Sequence, residues 1–231
     1  IVYRKDRDIV RMLIGGISLK ISENVFQLEA TKRSHVFFVR TEEAFLIDTG
    51  MPGLSEKILE EIRSLGADPG DIRMILLTHH DVDHIGNAKR LQEATGAELW
   101  ASSEDIPYIM GEKRRPGVKH MIETIVRPRQ PAFTRIYSAD WPYSDIHILH
   151  APGHTPGHTI FQVRDIIFTG DLFKFIHGRF ELFPEFMNWN QNEAIKSLSM
   201  LKNLEFEWLC PSHGSPVRNG PELQDFLSKL K

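Results

Sequence analysis

The chain has 231 residues, 41% of them hydrophobic, which is enough for one domain with a sizeable core. A formal net charge of −3 gives no general reason to expect binding to nucleic acid or to an acidic membrane surface. Cys210 is the only cysteine, which excludes an internal disulfide and a cluster of thiolate metal ligands. No apolar run is long enough to cross a bilayer, and the opening segment IVYRKDRDIV lacks the apolar core of a signal peptide. We therefore expect a cytoplasmic protein.

The first half of the chain alternates predicted strands and helices. NVFQLEA, HVFFV and AFLID are rich in apolar and β-branched residues, and the last two form a predicted hairpin that turns at Arg40–Glu43. Apolar residues then recur at helical spacing from Leu54 to Leu65, and Gly66 ends that helix. A strand over 73–77, a helix over about 86–95 and the strand ELWAS follow.

The second half repeats this mixture. DIHILHAPG, TIFQV, DIIFTGD and FEWLCPSHG read as strands, and Asn190 caps a predicted helix that runs to about Asn203. GPELQDFLSKL makes a closing helix with Pro221 in its first turn. No repeat or long linker divides residues 1–231, so we predict a single α/β (α+β) domain. Two β-rich halves that each carry helices favour two sheets packed face to face with helices outside.

Five loops that follow predicted strands combine histidine or aspartate with glycine or small polar residues. They are LIDTG with Asp48, THHDVDHIG with His79, Asp81, Asp83 and His84, APGHTPGHT with His154 and His158, FTGD with Asp171, and PSHG with His213. A divalent metal needs ligands that converge from different chain segments, and glycine lets the backbone turn close to it. One such loop is weak evidence, but all five together predict a metal site.

The order of these loops resembles that of the metallo-β-lactamase fold superfamily, whose members form an αββα sandwich of two mixed β-sheets. The resemblance runs from Asp48 to His213 and implies two metal ions. It implies that His79, position 81 and His154 form the first site, and that Asp83, His84 and His213 form the second, with Asp171 bridging the two. By the same resemblance Asp48 supports the ligand loops and does not bind metal. We also assign a supporting role to Thr78, and we expect His158 to be a hydrogen-bonding partner of the ligands and not a ligand itself.

Position 81 departs from the family pattern, because THHDVDH gives H-x-D-x-D-H where the family has H-x-H-x-D-H. His80 is not expected to fill in, since adjacent side chains of an extended segment point to opposite sides. An aspartate oxygen reaches about as far from the backbone as the near ring nitrogen of a histidine, and we take Asp81 as a ligand by hypothesis. The additional carboxylate favours harder ions such as Mn²⁺ or Fe²⁺ more than a histidine would, although zinc is the default expectation.

The resemblance also implies a mechanism, in which two metals hold a hydroxide that attacks an electrophilic carbonyl or phosphorus. Asp83 would orient the nucleophile or accept its proton. We expect a small-molecule substrate with an ester, lactone or thioester group, and no nucleic-acid or membrane partner. The alternatives are a phosphodiester hydrolase, a mononuclear iron dioxygenase acting on persulfides, and a non-catalytic relative that kept the fold.

Two further segments are candidates for shaping the substrate pocket. Residues 111–135 carry seven Lys or Arg against two Glu. This segment is either a basic lid that selects anionic substrates or a solvated insertion, and we favour the solvated insertion slightly. Residues 172–189 hold six aromatic side chains, which would form an apolar pocket wall or a homodimer contact. The pocket candidates in this segment are Phe173, Phe175, Phe183 and Trp189.

Overall fold

The computed structural model of the chain describes residues 18–132, 135–138 and 141–230. Its larger sheet contains seven strands whose spatial order equals their chain order. They are β1 (Leu19–Ser22), β2 (Val25–Gln27), β3 (Phe37–Arg40), β4 (Ala44–Ile47), β5 (Ile72–Leu76), β6 (Glu98–Ala101) and β7 (Arg135–Ile136). The first four strands pair antiparallel, with short turns between β1 and β2 and between β3 and β4 and a longer segment over 28–36 between β2 and β3, and β4 to β7 pair parallel.

The second sheet has the strand order β14-β13-β10-β9-β8. Its strands are β8 (Ile146–His150), β9 (Thr159–Val163), β10 (Ile166–Gly170), β13 (Trp208–Pro211) and β14 (Val217–Arg218). Only the pair β10 and β13 is parallel, because a long crossover separates these two strands. Within that crossover, β11 (Lys174–Ile176) and β12 (Arg179–Glu181) form a separate two-stranded hairpin.

Seven α-helices connect and flank the sheets in the described part of the chain. They are α1 (Ser55–Ser64), α2 (Val82–Ile85), α3 (Ala88–Thr95), α4 (Ile106–Ile109), α5 (Gly117–Val126), α6 (Gln191–Met200) and α7 (Pro221–Ser228). The start of α6 and the end of α3 lie at the capping residues that the sequence indicated. The Asn190 side chain accepts a hydrogen bond from the Glu193 amide at the start of α6, and Gly96 ends α3 in the left-handed conformation.

Three apolar layers hold the four structural layers together. Alternating side chains of the two sheets meet in the middle layer, where the rings of Phe37 and Phe168 lie 5.0 Å apart. On the outer face of the first sheet, buried residues of α1 and α3 such as Ile62 and Leu91 cover the strands. On the outer face of the second, Leu198 of α6 and Leu227 of α7 do the same. The chain is therefore an αββα sandwich of two mixed sheets, which confirms the predicted fold class.

Two segments differ from their sequence-based description. The basic insertion is not only a solvated loop, because it contains the amphipathic helix α5. The aromatic segment forms the β11–β12 hairpin, which is not among the strands predicted from the sequence, and His177 and Gly178 supply positive φ angles at its turn.

None of the helices in the described ranges has the length and apolarity that a bilayer crossing requires. The prediction that IVYRKDRDIV is not a signal peptide concerns residues that lie outside the described part of the chain.

Candidate metal centre

The histidines and aspartates of the five loops meet at one rim of the sandwich. Asp48 follows β4, and the cluster from His79 to His84 follows β5, its parallel neighbour. Asp171 follows β10 and His213 follows β13, again a parallel pair. Parallel neighbours end at the same edge of a sheet, so the topology brings together loops that are distant in the sequence.

Asp171 lies at the centre of the cluster. Its Oδ1 atom is 3.3 Å from Nε2 of His84, and its Oδ2 atom is 3.3 Å from Nε2 of His213. The same Oδ2 atom is 3.4 Å from Nε2 of His154 and 3.9 Å from Nε2 of His79. One buried carboxylate therefore faces four imidazoles that come from three other loops.

His79, Asp81 and His154 form the first group of potential ligands, whose donor atoms all lie within 4.8 Å of one another. The Oδ2 atom of Asp81 is 3.0 Å from Nε2 of His154 and 3.6 Å from Nε2 of His79. The carboxylate of Asp81 thus points into the cluster, in the position that our hypothesis requires. The ring of His80 instead stacks on Tyr108 at 4.4 Å.

Asp83, His84 and His213 form a second group within the same distance limit. Asp83 Oδ2 is 3.5 Å from Nε2 of His213 and 3.8 Å from Nε2 of His84. This group is the more open of the two, because the Asp83 side chain is 26% exposed whereas that of Asp81 is 10% exposed. Solvent therefore reaches the cluster from the side of Asp83.

Asp48 and Thr78 hold the ligand loops in place. The Asp48 carboxylate accepts hydrogen bonds from the Thr78 amide at 2.8 Å, from the Thr78 hydroxyl and from Nδ1 of His84 at 2.8 Å. Because Nδ1 of His84 donates to this carboxylate, its Nε2 atom is directed into the cluster.

His158 uses both ring nitrogens inside the protein. Its Nδ1 donates to the carbonyl of Ala151 at 3.1 Å, and its Nε2 accepts from the amide of Asp171 at 3.0 Å. A Cβ atom on Gly170 would stand 2.6 Å from that Nε2, so this close approach requires glycine. This geometry makes His158 a support for Asp171 and leaves it no nitrogen for a metal.

The electrostatic environment keeps His79 and Asp171 in the states that metal binding needs. Burial, reinforced by His84, lowers the pKa of His79 well below its ordinary value, so this imidazole is neutral. Burial alone would raise the pKa of Asp171, but His213 and His84 hold it well below the ordinary range. Neutral imidazoles and ionised carboxylates are the protonation states that coordinate a cation. For His84 and His213, burial lowers the pKa but Asp171 outweighs it and raises the pKa of both, so each would release a proton when a cation binds.

The donor atoms themselves test whether the residues suit a metal. Nε2 of His79 and Oδ1 of Asp171 are buried and make no hydrogen bond to any described residue. Unsatisfied buried polar atoms are costly, and both face the interior of the cluster. A divalent cation would satisfy them, and the set of imidazoles and carboxylates suits zinc, iron or manganese.

The sequence did not point to Lys119, which enters the cluster from α5. Its Nζ atom is 2.7 Å from Oδ2 of Asp81 and 3.1 Å from Nε2 of His154. Burial would raise the pKa of Asp81, but Lys119, with help from His154, keeps it well below the ordinary value. Lys119 stands in no recognisable motif, and only the positive charge of the insertion drew notice to this segment.

Asp105 is a second residue that the sequence did not reveal. It accepts hydrogen bonds from the His80 amide, the Thr155 hydroxyl and the Gly157 amide. It thereby ties the loop after β5 to the loop between β8 and β9. Burial raises its pKa to about 6.

The four aromatic pocket candidates divide into two pairs. The ring of Phe183 lies 4.8 Å from that of His154, and Trp189 lines a pocket of about 130 Å³ together with His154 and Lys119. Phe173 is instead fully buried against α6 and α7, and Phe175 packs against the same apolar layer. Phe173 therefore belongs to the core, which corrects its assignment to the pocket wall. Phe175 is partly buried beside that core and does not line the pocket next to His154.

An αββα sandwich with histidines and carboxylates gathered at one rim defines a class of metal-binding hydrolases. Within that class the chain belongs to the metallo-β-lactamase superfamily, whose family model matches residues 32–213.

Individual relatives agree with this family. The probable metallo-hydrolase YybB of Bacillus subtilis is 28% identical over 215 residues, which cover 88% of this chain and 94% of YybB. The hydroxyacylglutathione hydrolase GloC of Haemophilus influenzae is 29% identical over 140 residues, or 57% of this chain and 61% of GloC. The solved structure of TTHA1623 in a di-iron-bound form matches with a TM-score of 0.67 and 22% identity, over 94% of this chain and 98% of that chain.

Proposed function

We propose that the chain hydrolyses a carboxylic ester, lactone or thioester of a small molecule by means of two divalent metal ions. The observation that carries this proposal is the position of Asp171, which lies within 3.9 Å of imidazole nitrogens from three other loops. A carboxylate in this position suits a ligand shared between two cations. His79, Asp81 and His154 would hold the first ion, and Asp83, His84 and His213 would hold the second.

The protein's own residues then have distinct tasks. Divalent ions held by these residues would bring the pKa of a bound water toward neutrality and would polarise the carbonyl oxygen of a substrate. Asp83 is the carboxylate of the cluster most open to solvent, so it can accept a proton from the attacking water and pass it on. Asp48 keeps the His84 ring in the orientation that ligation needs. No serine or cysteine nucleophile is required.

The surroundings of the cluster favour a substrate with an apolar part. Phe183 covers His154, and the exposed rings of Phe186 and Trp189 border the pocket beside it. An acyl chain or a ring bound there would place its carbonyl carbon near the cluster. The similarity to GloC, a hydroxyacylglutathione hydrolase, supports thioesters as one class to test.

The basic insertion gives little support to a phosphodiester substrate. The guanidinium of Arg115 is buried, where it pairs with Glu123 and donates to the carbonyl of His80. Arg115 is therefore not available to a phosphate, and of the neighbouring arginines Arg114 and Arg115 only Arg114 is exposed.

We propose zinc as the metal, with iron as the competing ion because the cluster contains three carboxylates and TTHA1623 is known in a di-iron-bound form.

Elemental analysis and a substrate panel test this function. The purified chain is assayed on a lactone, a thioester, an aryl ester, a β-lactam and a bis-phosphodiester, before and after chelation. We expect metal-dependent turnover of at least one carbonyl substrate, reduced about 10²–10⁴-fold in Asp83→Asn by loss of the proton acceptor. The exposed Asp68→Asn is the matched control and should retain full activity. Turnover of the phosphodiester alone, or oxygen consumption with a persulfide, would contradict the proposal.

A further inference from the structure

The ammonium group of Lys119 lies among the donor atoms of the first ligand group. It is 2.7 Å from Oδ2 of Asp81, 3.1 Å from Nε2 of His154 and 3.2 Å from the carbonyl oxygen of His154. All three of its hydrogens therefore have partners, two of which are potential metal ligands. A metal ion held by Asp81 and His154 would need these same lone pairs.

Lys119 is held in this position by the helix that carries it. It lies in the first turn of α5, and its side chain is 6% exposed. Just before that helix, Arg115 donates to the carbonyl of His80 and pairs with Glu123, which fastens α5 to the ligand loop after β5. The contacts of Arg115 and the burial of Lys119 therefore fix the position of the lysine side chain inside the protein.

Asp81, which stands where the family has histidine, is the residue that Lys119 contacts. A buried ammonium needs an anionic partner, and Asp81 supplies one where a neutral histidine would not. The charges of the cluster agree with this pairing. A divalent ion in the first ligand group would lie directly beside the Lys119 ammonium, and the repulsion between these like charges disfavours it.

We infer that Lys119 competes with a metal ion for Asp81 and His154, so that the two ligand groups fill in separate steps. The group of Asp83, His84 and His213, with Asp171, binds its ion first and tightly. The group of His79, Asp81 and His154 binds an ion only when Lys119 withdraws, which makes it the weaker and adjustable position. This inference rests on the proposed function only in treating the cluster as a metal centre.

A metal titration tests the competition without using activity. The metal-free chain is equilibrated with Zn²⁺ over a range of free concentrations set by chelators, and bound zinc is counted by elemental analysis. We expect the wild-type chain to bind its second ion at least tenfold more weakly than its first. In Lys119→Met the unpaired Asp81 should draw in the second ion, so its affinity rises at least tenfold. Lys113→Met, an exposed lysine of the same insertion, should behave as the wild type does.

Chemical labelling supplies a second readout in the unchanged protein, should the Lys119→Met variant fail to fold. Amine acetylation is quantified at Lys119 and Lys113 by peptide mass spectrometry as metal is added. We expect Lys119 to stay protected up to one ion per chain and to become reactive when the second ion binds, while Lys113 reacts throughout. Lys119 that stays protected with two ions bound would overturn the competition.

The outcomes separate this inference from the proposed function. Two ions bound with equal affinity by a chain that hydrolyses esters overturn the competition alone. Stepwise filling in a chain inactive on every carbonyl substrate supports the competition and overturns the proposed function. A chain that binds no zinc overturns both.

Discussion

At the scale of single residues, Asp48 shows how a buried carboxylate determines the geometry of the candidate site. It is fully buried with a φ of 61°, and it receives hydrogen bonds from the amide and hydroxyl of Thr78 and from the His84 ring. Burial would lower the pKa of His84, but Asp171, Asp48 and Asp83 raise it well above its ordinary value. Asp48 therefore orients a ligand and also adds to the negative potential around it.

The variant Asp48→Asn tests this role, because asparagine keeps the shape and tolerates a positive φ. We expect a loss of about 2 kcal/mol in the free energy of unfolding, since charge-assisted hydrogen bonds are weakened and an amide NH₂ faces the Thr78 donors. Metal affinity should fall roughly 10–100-fold as His84 loses its orientation. Urea unfolding and zinc titration measure the two effects. Asp68→Asn, the same change in an exposed turn, should alter neither, and an equal effect in both variants would contradict the prediction.

At the scale of elements, α5 links the basic insertion to the cluster. Its inner side carries Lys119, and Arg115 immediately before it bonds to the His80 carbonyl and to Glu123. Its outer side exposes Met121 and Ile125. The helix therefore depends on a few polar contacts more than on apolar burial, so we expect it to be less stable than the helices that cover the sheets.

Arg115→Met tests whether these contacts hold α5. The change leaves the His80 carbonyl and Glu123 without their partner, and amide hydrogen exchange across 117–126 should become about tenfold faster, equivalent to roughly 1.4 kcal/mol of local stability. Exchange in α6 should stay unchanged, because α6 packs in a separate apolar layer. The neighbouring Arg114→Met, at an exposed position, is the matched control. Unchanged exchange in Arg115→Met would show that α5 is held by other contacts.

At the scale of the whole molecule, the cluster lies where both sheets end, so its charges affect the stability of the entire sandwich. Asp81, Asp83 and Asp171 lie close together, and among the described residues Lys119 is the lysine that contacts them. A cation that binds the folded state and not the unfolded chain should therefore stabilise the protein.

Zinc added to the chelator-treated chain should raise its melting temperature. At about a hundredfold excess over the dissociation constant the expected gain is about 2.7 kcal/mol, which for a chain of this size corresponds to roughly 5–10 °C. Differential scanning calorimetry measures the shift. Magnesium at the same concentration controls for ionic strength, because Mg²⁺ prefers oxygen ligands and the cluster is rich in imidazole. A melting temperature indifferent to zinc would contradict a metal centre at this rim.

The sequence by itself determined the central strands of both sheets, the helices α1, α3, α6 and α7, and the ligand loops, because these depend on local patterns. It did not predict the short strands β1, β7, β11, β12 and β14. The apolar run before His79, the glycines around His154 and the cap at Asn190 each carry their signal within a few residues. The order of the loops was enough to indicate the family, which the match over residues 32–213 then showed.

Only the tertiary structure decided which side chains meet. Lys119 reaches Asp81 from 38 positions along the chain, and its neighbours in the sequence predict nothing of that contact. The sequence does not distinguish Phe173 from Phe183, which lie in the same aromatic segment. In the structure Phe173 packs in the core, whereas the ring of Phe183 covers His154. Contacts of this kind follow from how the layers pack, because burial and distance between remote residues are properties of the folded chain and leave no periodic pattern in the sequence.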